Sequence, residues 1–275
     1  MENLIRGFKE NKAFRISSCL VFLLLAVTLL APVIAPYDPL EAIMRNANAA
    51  PSAEHLFGTD KLGRDVLSRI LYGASYSLTS VVSLVALIFV VGTTLGVIAG
   101  YSGGIVDTVI MRIADMMISF PGVILAIAIA GILGGSLFNA MVALLCVTWT
   151  KYARLSRSMV LKIKKHDFVS AAVVSGGSSI HILWVHILPN ILPLMIITAA
   201  ADIGAMMMEL AGLSFLGFGS QPPAPEWGLM LNEGRQQLQT APWLMIFPGL
   251  AIFITVVIFN LWGDSLRDVL DPRQD

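Results

Sequence analysis

A chain of 275 residues that is 56% hydrophobic and only 13% charged, at a mean hydropathy of +0.79, has too little charge to cover a soluble globule of its size, so a membrane is its natural solvent. The formal net charge of zero leaves no basic field for nucleic acid and no acidic tail. Cys19 and Cys146 both lie in apolar runs and suggest neither a disulfide framework nor a thiolate metal site.

A hydrocarbon layer of about 30 Å takes roughly 17–25 apolar residues per helix. Six runs of that order occur, near 16–35, 78–100, 118–134, 136–153, 190–217 and 243–262. They are much longer than the roughly 9–11-residue strands of a membrane barrel and lack period-two alternation. The expected fold is therefore an all-α polytopic membrane protein in the cell (inner or plasma) membrane. With the N-terminus inside, Lys and Arg fall mostly on the cytoplasmic side: Arg6, Lys9, Lys12, Arg15, Arg112, Lys151, Arg154, Arg157, Lys162, Lys164, Lys165, Arg267 and Arg273. Arg45, Lys61, Arg64, Arg69 and Arg235 fall outside, an asymmetry that predicts both termini in the cytoplasm. An odd number of spans would instead put the C-terminal tail outside.

The first run follows four basic residues and exceeds the apolar core of a signal peptide, so it reads as an uncleaved anchor. With the outer stretch that follows it makes an N-terminal unit, 1–77, ahead of the remaining spans in 78–275. Within that stretch "HLFGTDKLGRDVLSRILYG" sets Leu62, Val66, Leu67, Ile70 and Leu71 on one helical face, with Lys61, Asp65 and Arg69 at i, i+4 spacing opposite. The pattern predicts a helix lying flat on the membrane, an elbow between spans or, as the alternative, a docking surface for an external partner. In "DTVIMRIADMMISFPG", Thr108, Arg112, Asp115 and Ser119 form a polar stripe, Arg112 and Asp115 are spaced to pair, and Pro121 marks a kink or helix start. This reads as an amphipathic lead-in to the third span, or alternatively as a gating element. Gly134, Gly135 and Ser136 predict a tight helical hairpin.

The longest expected cytoplasmic loop, about 151–186, divides into two parts. Its basic first part is explained by topology and anionic headgroups. Its second part, continuing as "DFVSAAVVSGGSSIHILWVHILPN" (167–190), is not. Ser170, Ala171, Ala172 and Gly176 have almost no bulk, so a short helix built from them can approach another protein's backbone closely. Pro189 and Pro193 start or kink the fifth span. Inside that span Asp202 and Glu209, seven residues apart, share a face. A carboxylate in hydrocarbon costs roughly 2.5–3.5 kcal/mol on insertion scales and turns toward a partner helix or a wet pathway. Hydrogen bonding between chains and contact with a passing cationic substrate are the two readings. Met206, Met207 and Met208 lie between the acids; soft thioethers suit a metal, but methionine usually packs. His166, His181 and His186 read as capping or packing groups, since 181 and 186 are not an i, i+4 pair. No residue set suggests a catalytic centre or a metal site.

Segment 167–190 resembles the cytoplasmic EAA motif of permease subunits in binding-protein-dependent ABC importers: Glu-Ala-Ala, three residues, Gly, nine residues, then Ile-x-Leu-Pro. Ala171, Ala172, Gly176, Leu188 and Pro189 fall at that spacing, with Ser170 in the Glu place and His186 in the Ile place. Both departures are similar to the dipeptide, oligopeptide and nickel branch. "FGTDKLGRDVLSRILYGASYSL" (57–78), "LSFLGFGSQPPAPEWGLML" (213–231) and "FNLWGDSLRDVLDPR" (259–273) resemble the same branch and its C-type subunit.

The resemblance implies that 78–275 is the permease domain of an ATP-driven importer and forms half of the translocation pathway. Its implied partners are a homologous B-type permease, two ATPase subunits that bind ATP and magnesium themselves, an extracytoplasmic substrate-binding protein and the lipid bilayer. The chain would then be no enzyme and carry no cofactor, in keeping with the lack of a Gly-x-x-x-x-Gly-Lys-Ser/Thr loop. Ser170, Ala171, Ala172, Gly176, His186, Leu188 and Pro189 would couple to the ATPase, and Asp202, Met206 and Glu209 are pathway candidates. "ADIGAMMMELAGLSFLGFG" (201–219) resembles the nickel permeases somewhat more than the dipeptide ones, so nickel or a nickel chelate is the expected substrate and a di- or oligopeptide the alternative. A stand-alone secondary transporter or channel is the rival class; it should show inverted repeats or matching broken helices, and no clear internal repeat is visible. An intramembrane enzyme would need a nucleophile and base, or a His-Glu metal box, at membrane depth, and none is present.

Overall fold

The computed structural model describes residues 7–270, so Arg6 and Arg273, counted above for orientation, lie outside the described residues. The described residues are mostly helical, apart from the largely irregular stretches 35–65 and 216–226, and no strand forms among them. Helix α1 (Lys12–Ile34) starts where Asn11 accepts the Phe14 amide and stops at Ala35, held extended by the following Pro36. Helix α2 (Val66–Ser102) is capped by Asp65, whose carboxylate accepts the Ser68 amide, and ends at Gly103 in a left-handed conformation. Helices α3 (Gly104–Ile118) and α4 (Gly122–Leu133) meet at 93° across Pro121. A tight turn at Gly134 leads into α5 (Leu137–Ile163), the hairpin expected from the sequence. The short α6 (Asp167–Val174), the long α7 (Ser179–Phe215), α8 (Trp227–Gly234) and α9 (Trp243–Leu270) complete the chain.

Four of these helices, α1, α2, α7 and α9, are long and apolar enough to cross a membrane, and the bent pair α3–α4 makes a fifth candidate. Helix α5 contains the fourth apolar run in roughly its first two-thirds, but it continues past the expected end at 153 and carries Lys151, Arg154, Arg157 and Lys162. The basic stretch expected in a loop is thus largely helical.

The flat surface helix expected around Lys61–Arg69 does not form. Helix α2 is one rod of 37 residues, about 55 Å long at 1.5 Å per residue. Asp65 and Arg69 are 3% and 1% exposed, so the stripe read as solvent-facing points into the protein. The expected Arg112–Asp115 pair is also replaced. Asp115 accepts from Arg154 and Asp107 from Arg157, so two acids of α3 clasp two arginines of α5 while Arg112 stays exposed.

The centre of the molecule is the α2–α5 crossing. Gly92, Gly96 and Gly100 recur every four residues on α2 and meet α5 backbone. A methyl group at Gly96 would fall 2.0 Å from Ser156 Oγ and 2.1 Å from the Ala153 carbonyl oxygen. Around this seam Leu84, Ile88, Leu144, Tyr152, Met195, Met207 and Leu210 are wholly buried. Helix α9 packs along α7, where Gly263 lies against the Ala201 backbone, and α1 is pinned to α9 by a 2.8 Å hydrogen bond between the Ser17 and Ser265 hydroxyls.

Candidate coupling helix and intramembrane charges

Helix α6 is short because both of its ends are chemically fixed. His166 is extended immediately before it, and Asp167 in the first turn suits the positive end of the helix dipole. At the other end Gly176 adopts φ +82°, its amide donates to the Val173 carbonyl at 3.0 Å, and the Gly177 amide donates to the Ala172 carbonyl at 3.0 Å. This paired closure requires a left-handed residue, which glycine supplies without steric conflict. The space around the Gly176 Cα is open, with no atom within 4 Å of an added Cβ. The backbone conformation, rather than a close approach within this chain, explains the glycine.

The two faces of α6 differ. Val169 is 4% exposed and enters a satellite core with Val97 of α2, Val160 and Ile163 of α5, and Ile182, Ile187 and Ile191 of α7; Ala172 packs against the same cluster. Ser170, Ala171 and Val173 face outward, and Val174 is 89% exposed. A groove of about 460 Å³ runs beside this surface, lined by Tyr101, Lys164, Ser170 and Val174 among others. Lys164 donates to the Tyr101 carbonyl at 2.8 Å and lies 5.1 Å from its ring centroid, tying the end of α5 to the end of α2. Further apolar side chains, Phe168, Ile180 and Trp184, stand exposed around α6.

The remaining motif residues lie behind this surface. The backbone at Leu183–Ile187 forms a wide turn in which the Leu188 amide reaches the Leu183 carbonyl, five residues back. That turn precedes Pro189, which has no amide to donate, and the Asn190 side chain donates to the His186 carbonyl at 2.6 Å. Helix α7 therefore begins at Ser179, well before the expected 190, and Pro189 and Pro193 fall inside it rather than at its start. The wide turn also brings His181 and His186 together, edge to face with ring centroids 6.0 Å apart, while His186 lies 6.2 Å from Phe168 and His166 stacks on Phe168 at 5.6 Å. Leu188 packs against the satellite core, and Pro189 faces a separate groove beside α1.

Deeper in the bundle, Asp202 of α7 accepts from the Lys151 ammonium at 2.7 and 2.9 Å and from the Tyr152 hydroxyl at 2.9 Å. The acid is thus neutralised within the chain by a lysine of α5. Glu209 is half-buried, feels the charges of Asp202 and Lys151, and among the described residues forms neither a hydrogen bond nor an ion pair. Met206 and Met207 are buried in the core, whereas Met208 is exposed.

A second charged cluster was not anticipated from the sequence. Asp60 accepts from Arg64 Nε at 2.6 Å and from Arg69, whose other nitrogen donates to Glu233 of α8 at 2.9 Å; Arg64 also reaches both Glu233 oxygens at 3.3 Å. His55 Nδ1 lies 2.9 Å from Asp65. The i, i+4 spacing of Asp60 and Arg64 was a readable signal, but Glu233 is 164 residues from Arg69 and only the fold brings it there.

Residues 92–275 match the family described as binding-protein-dependent transport system inner membrane component, and residues 2–51 match the N-terminal transmembrane domain of oligopeptide transport permease C. The chain is 43% identical to the dipeptide transport system permease protein DppC of Alkalihalophilus pseudofirmus, over 98% of this chain and 88% of that one. It is 40% identical to the nickel transport system permease protein NikC of Escherichia coli K12, over 94% of each. Its fold is similar to a chain in an inward-facing structure of the MetNI methionine ABC transporter, at a TM-score of 0.59 and 20% identity over 74% of this chain and 97% of that one. Helices of membrane-spanning length, the arrangement of α1 to α9 and these matches lead to one conclusion: the chain is an inner-membrane permease of the binding-protein-dependent ABC importer family, on its dipeptide and nickel branch.

Proposed function

We propose that α6 is the element through which an ATPase subunit drives this permease, and that the chain pairs with a homologous B-type permease to enclose the pathway. One observation carries the reading: α6 exposes Ser170, Ala171 and Val174 on one side while Val169 on the other is locked into α2, α5 and α7 together. A push on the outer face is delivered to three long helices at once. In this reading Ser170, Ala171, Ala172 and Gly176 form and terminate the contact surface, and His186, Leu188 and Pro189 shape the seat behind it. The ATPases supply ATP and magnesium chemistry, and an extracytoplasmic binding protein delivers substrate at the opposite end. An Ala171→Cys variant, crosslinked in intact cells, is expected to capture a nucleotide-hydrolysing subunit. A correctly inserted variant that never captures one would sink the assignment.

For the substrate, the Lys151–Asp202 pair with Glu209 beside it presents charge of both signs, which suits a zwitterion with an ammonium and a carboxylate of its own. This supports a small peptide. A nickel chelate, whose ligands mask the metal charge, is the second reading, favoured by the resemblance of residues 201–219. The test is ATPase stimulation in the reconstituted complex by dipeptide-loaded and nickel-loaded binding protein. Stimulation by the dipeptide form alone supports the first reading, and by the nickel form alone the second.

A further inference from the structure

Between α1 and α7, floored by α9, runs an open groove of about 910 Å³. Phe22 and Leu25 of α1, Leu192 and Ile196 of α7, and Trp262 and Leu266 of α9 form its walls and floor. Residues 7–10, just before α1, close one end: Gly7 packs against Val269 so tightly that an added Cβ would lie 2.2 Å from its Cγ1, and Phe8 sits edge-on to Phe14 with centroids 6.5 Å apart. Lys9 stands at that same end and, among the described residues, is the one charged side chain of the lining, with no carboxylate beside it there. Arg15, exposed, lies one turn before Ser18 on the helical face that continues through Phe22 and Leu25.

The polarity of the groove is that of an amphiphile, with a cation at one end and hydrocarbon for the rest. A neighbouring protein helix seated here would use the Lys9 charge only if it brought an acid to that end of the groove. A phospholipid brings its phosphate to that level and its chains into the apolar trough without further adjustment. We propose that this groove is a binding site for an anionic phospholipid, its headgroup held by Lys9 and its acyl chains lying against Trp262. The site also touches Pro189, just beyond the wide turn within α7.

Trp262 provides the probe. In the full importer complex reconstituted with lipids brominated on the acyl chains, the Trp262 signal is taken as the difference between the native chain and Trp262→Phe. Brominated phosphatidylglycerol is expected to quench it at about five-fold lower mole fraction than brominated phosphatidylcholine, the preference expected of one lysine near an anionic headgroup. Lys9→Gln, a change at an exposed side chain, should erase most of that preference. Equal quenching by the two lipids would mean ordinary solvation by the bilayer and would overturn the proposal. Quenching by neither would mean that protein covers the groove, and would overturn it as well. Should Trp262→Phe fail to assemble, native mass spectrometry of the complex keeps the comparison: the native chain should retain more phosphatidylglycerol than Lys9→Gln, and equal retention refutes the site.

Discussion

Gly176 shows how a single residue can be chosen for its backbone rather than its size. Its φ of +82° lies in the left-handed region, where an L residue other than glycine or asparagine costs about 1–2 kcal/mol, more if β-branched. Asparagine and valine are similar in volume but differ in tolerance of that conformation. Gly176→Asn should therefore keep most transport, while Gly176→Val should lose the α6 cap and with it most ATPase crosslinking from position 171, both with normal insertion. Equal loss in the two variants would instead indicate that bulk in the docked complex decides. The Lys151–Asp202 pair offers a second contrast at this scale. The lysine side chain is 56% exposed and can be hydrated when its partner is lost, but the aspartate is buried and would keep only Tyr152. Lys151→Met is expected to destabilise the complex by about 1–3 kcal/mol more than Asp202→Asn, because it strands a buried charge. Thermal midpoints of the two variants and the double mutant measure this, and equal losses would contradict it.

Among the helices, the α2–α5 seam depends on contact that only hydrogen at Gly96 permits. Gly96→Leu should force the rods apart and destabilise the fold by about 1–3 kcal/mol or more, whereas Gly103→Ala, where an added Cβ meets open space, should be limited to backbone strain at its positive φ. Proteolytic susceptibility of the two variants in membranes would reveal the difference. The sequence was legible wherever local chemistry decided the outcome: the apolar runs, the hairpin at Gly134 and a short helix near 170–176, which the structure starts three residues earlier and ends before Gly176, were visible in it. It was less legible where distant groups decided. Asp65 and Arg69 look like a solvated stripe until Glu233 and Asp60 arrive to neutralise the arginines, and Lys151 looks like a topology marker until Asp202 comes within 2.7 Å. The early start of α7 was hidden because the wide turn at 183–187 absorbs the defect that Pro189 would otherwise impose, so the proline ceased to mark a helix boundary. That same turn made neighbours of His181 and His186, which regular helical spacing would have separated.

Across the whole molecule, the question is whether movement at α6 reaches the bundle. Its mechanical connection is narrow: Val169 is the one residue of α6 that is buried, and it contacts a small cluster drawn from α2, α5 and α7. Main-chain links at either end of α6 are short but turn sharply, at His166 and at Gly176–Gly177, and such corners transmit force poorly compared with packed side chains. Val169→Ala removes two methyl groups from this cluster, a loss of about 1–2 kcal/mol that leaves the main core of the bundle untouched. The α6 surface itself keeps Ser170, Ala171 and Val174, so an ATPase should still dock and hydrolyse ATP at its basal rate. Work delivered to the bundle should fall, because the two conformational states are biased only by as much free energy as the contact can carry. The expected phenotype is uncoupling: basal ATPase activity retained, stimulation by loaded binding protein reduced several-fold, and substrate uptake reduced further. Val169→Ile, which preserves the apolar contact, should restore both. Uptake and stimulated hydrolysis that remain normal in Val169→Ala would show that force travels by another route, such as the groove face around Tyr101 and Lys164.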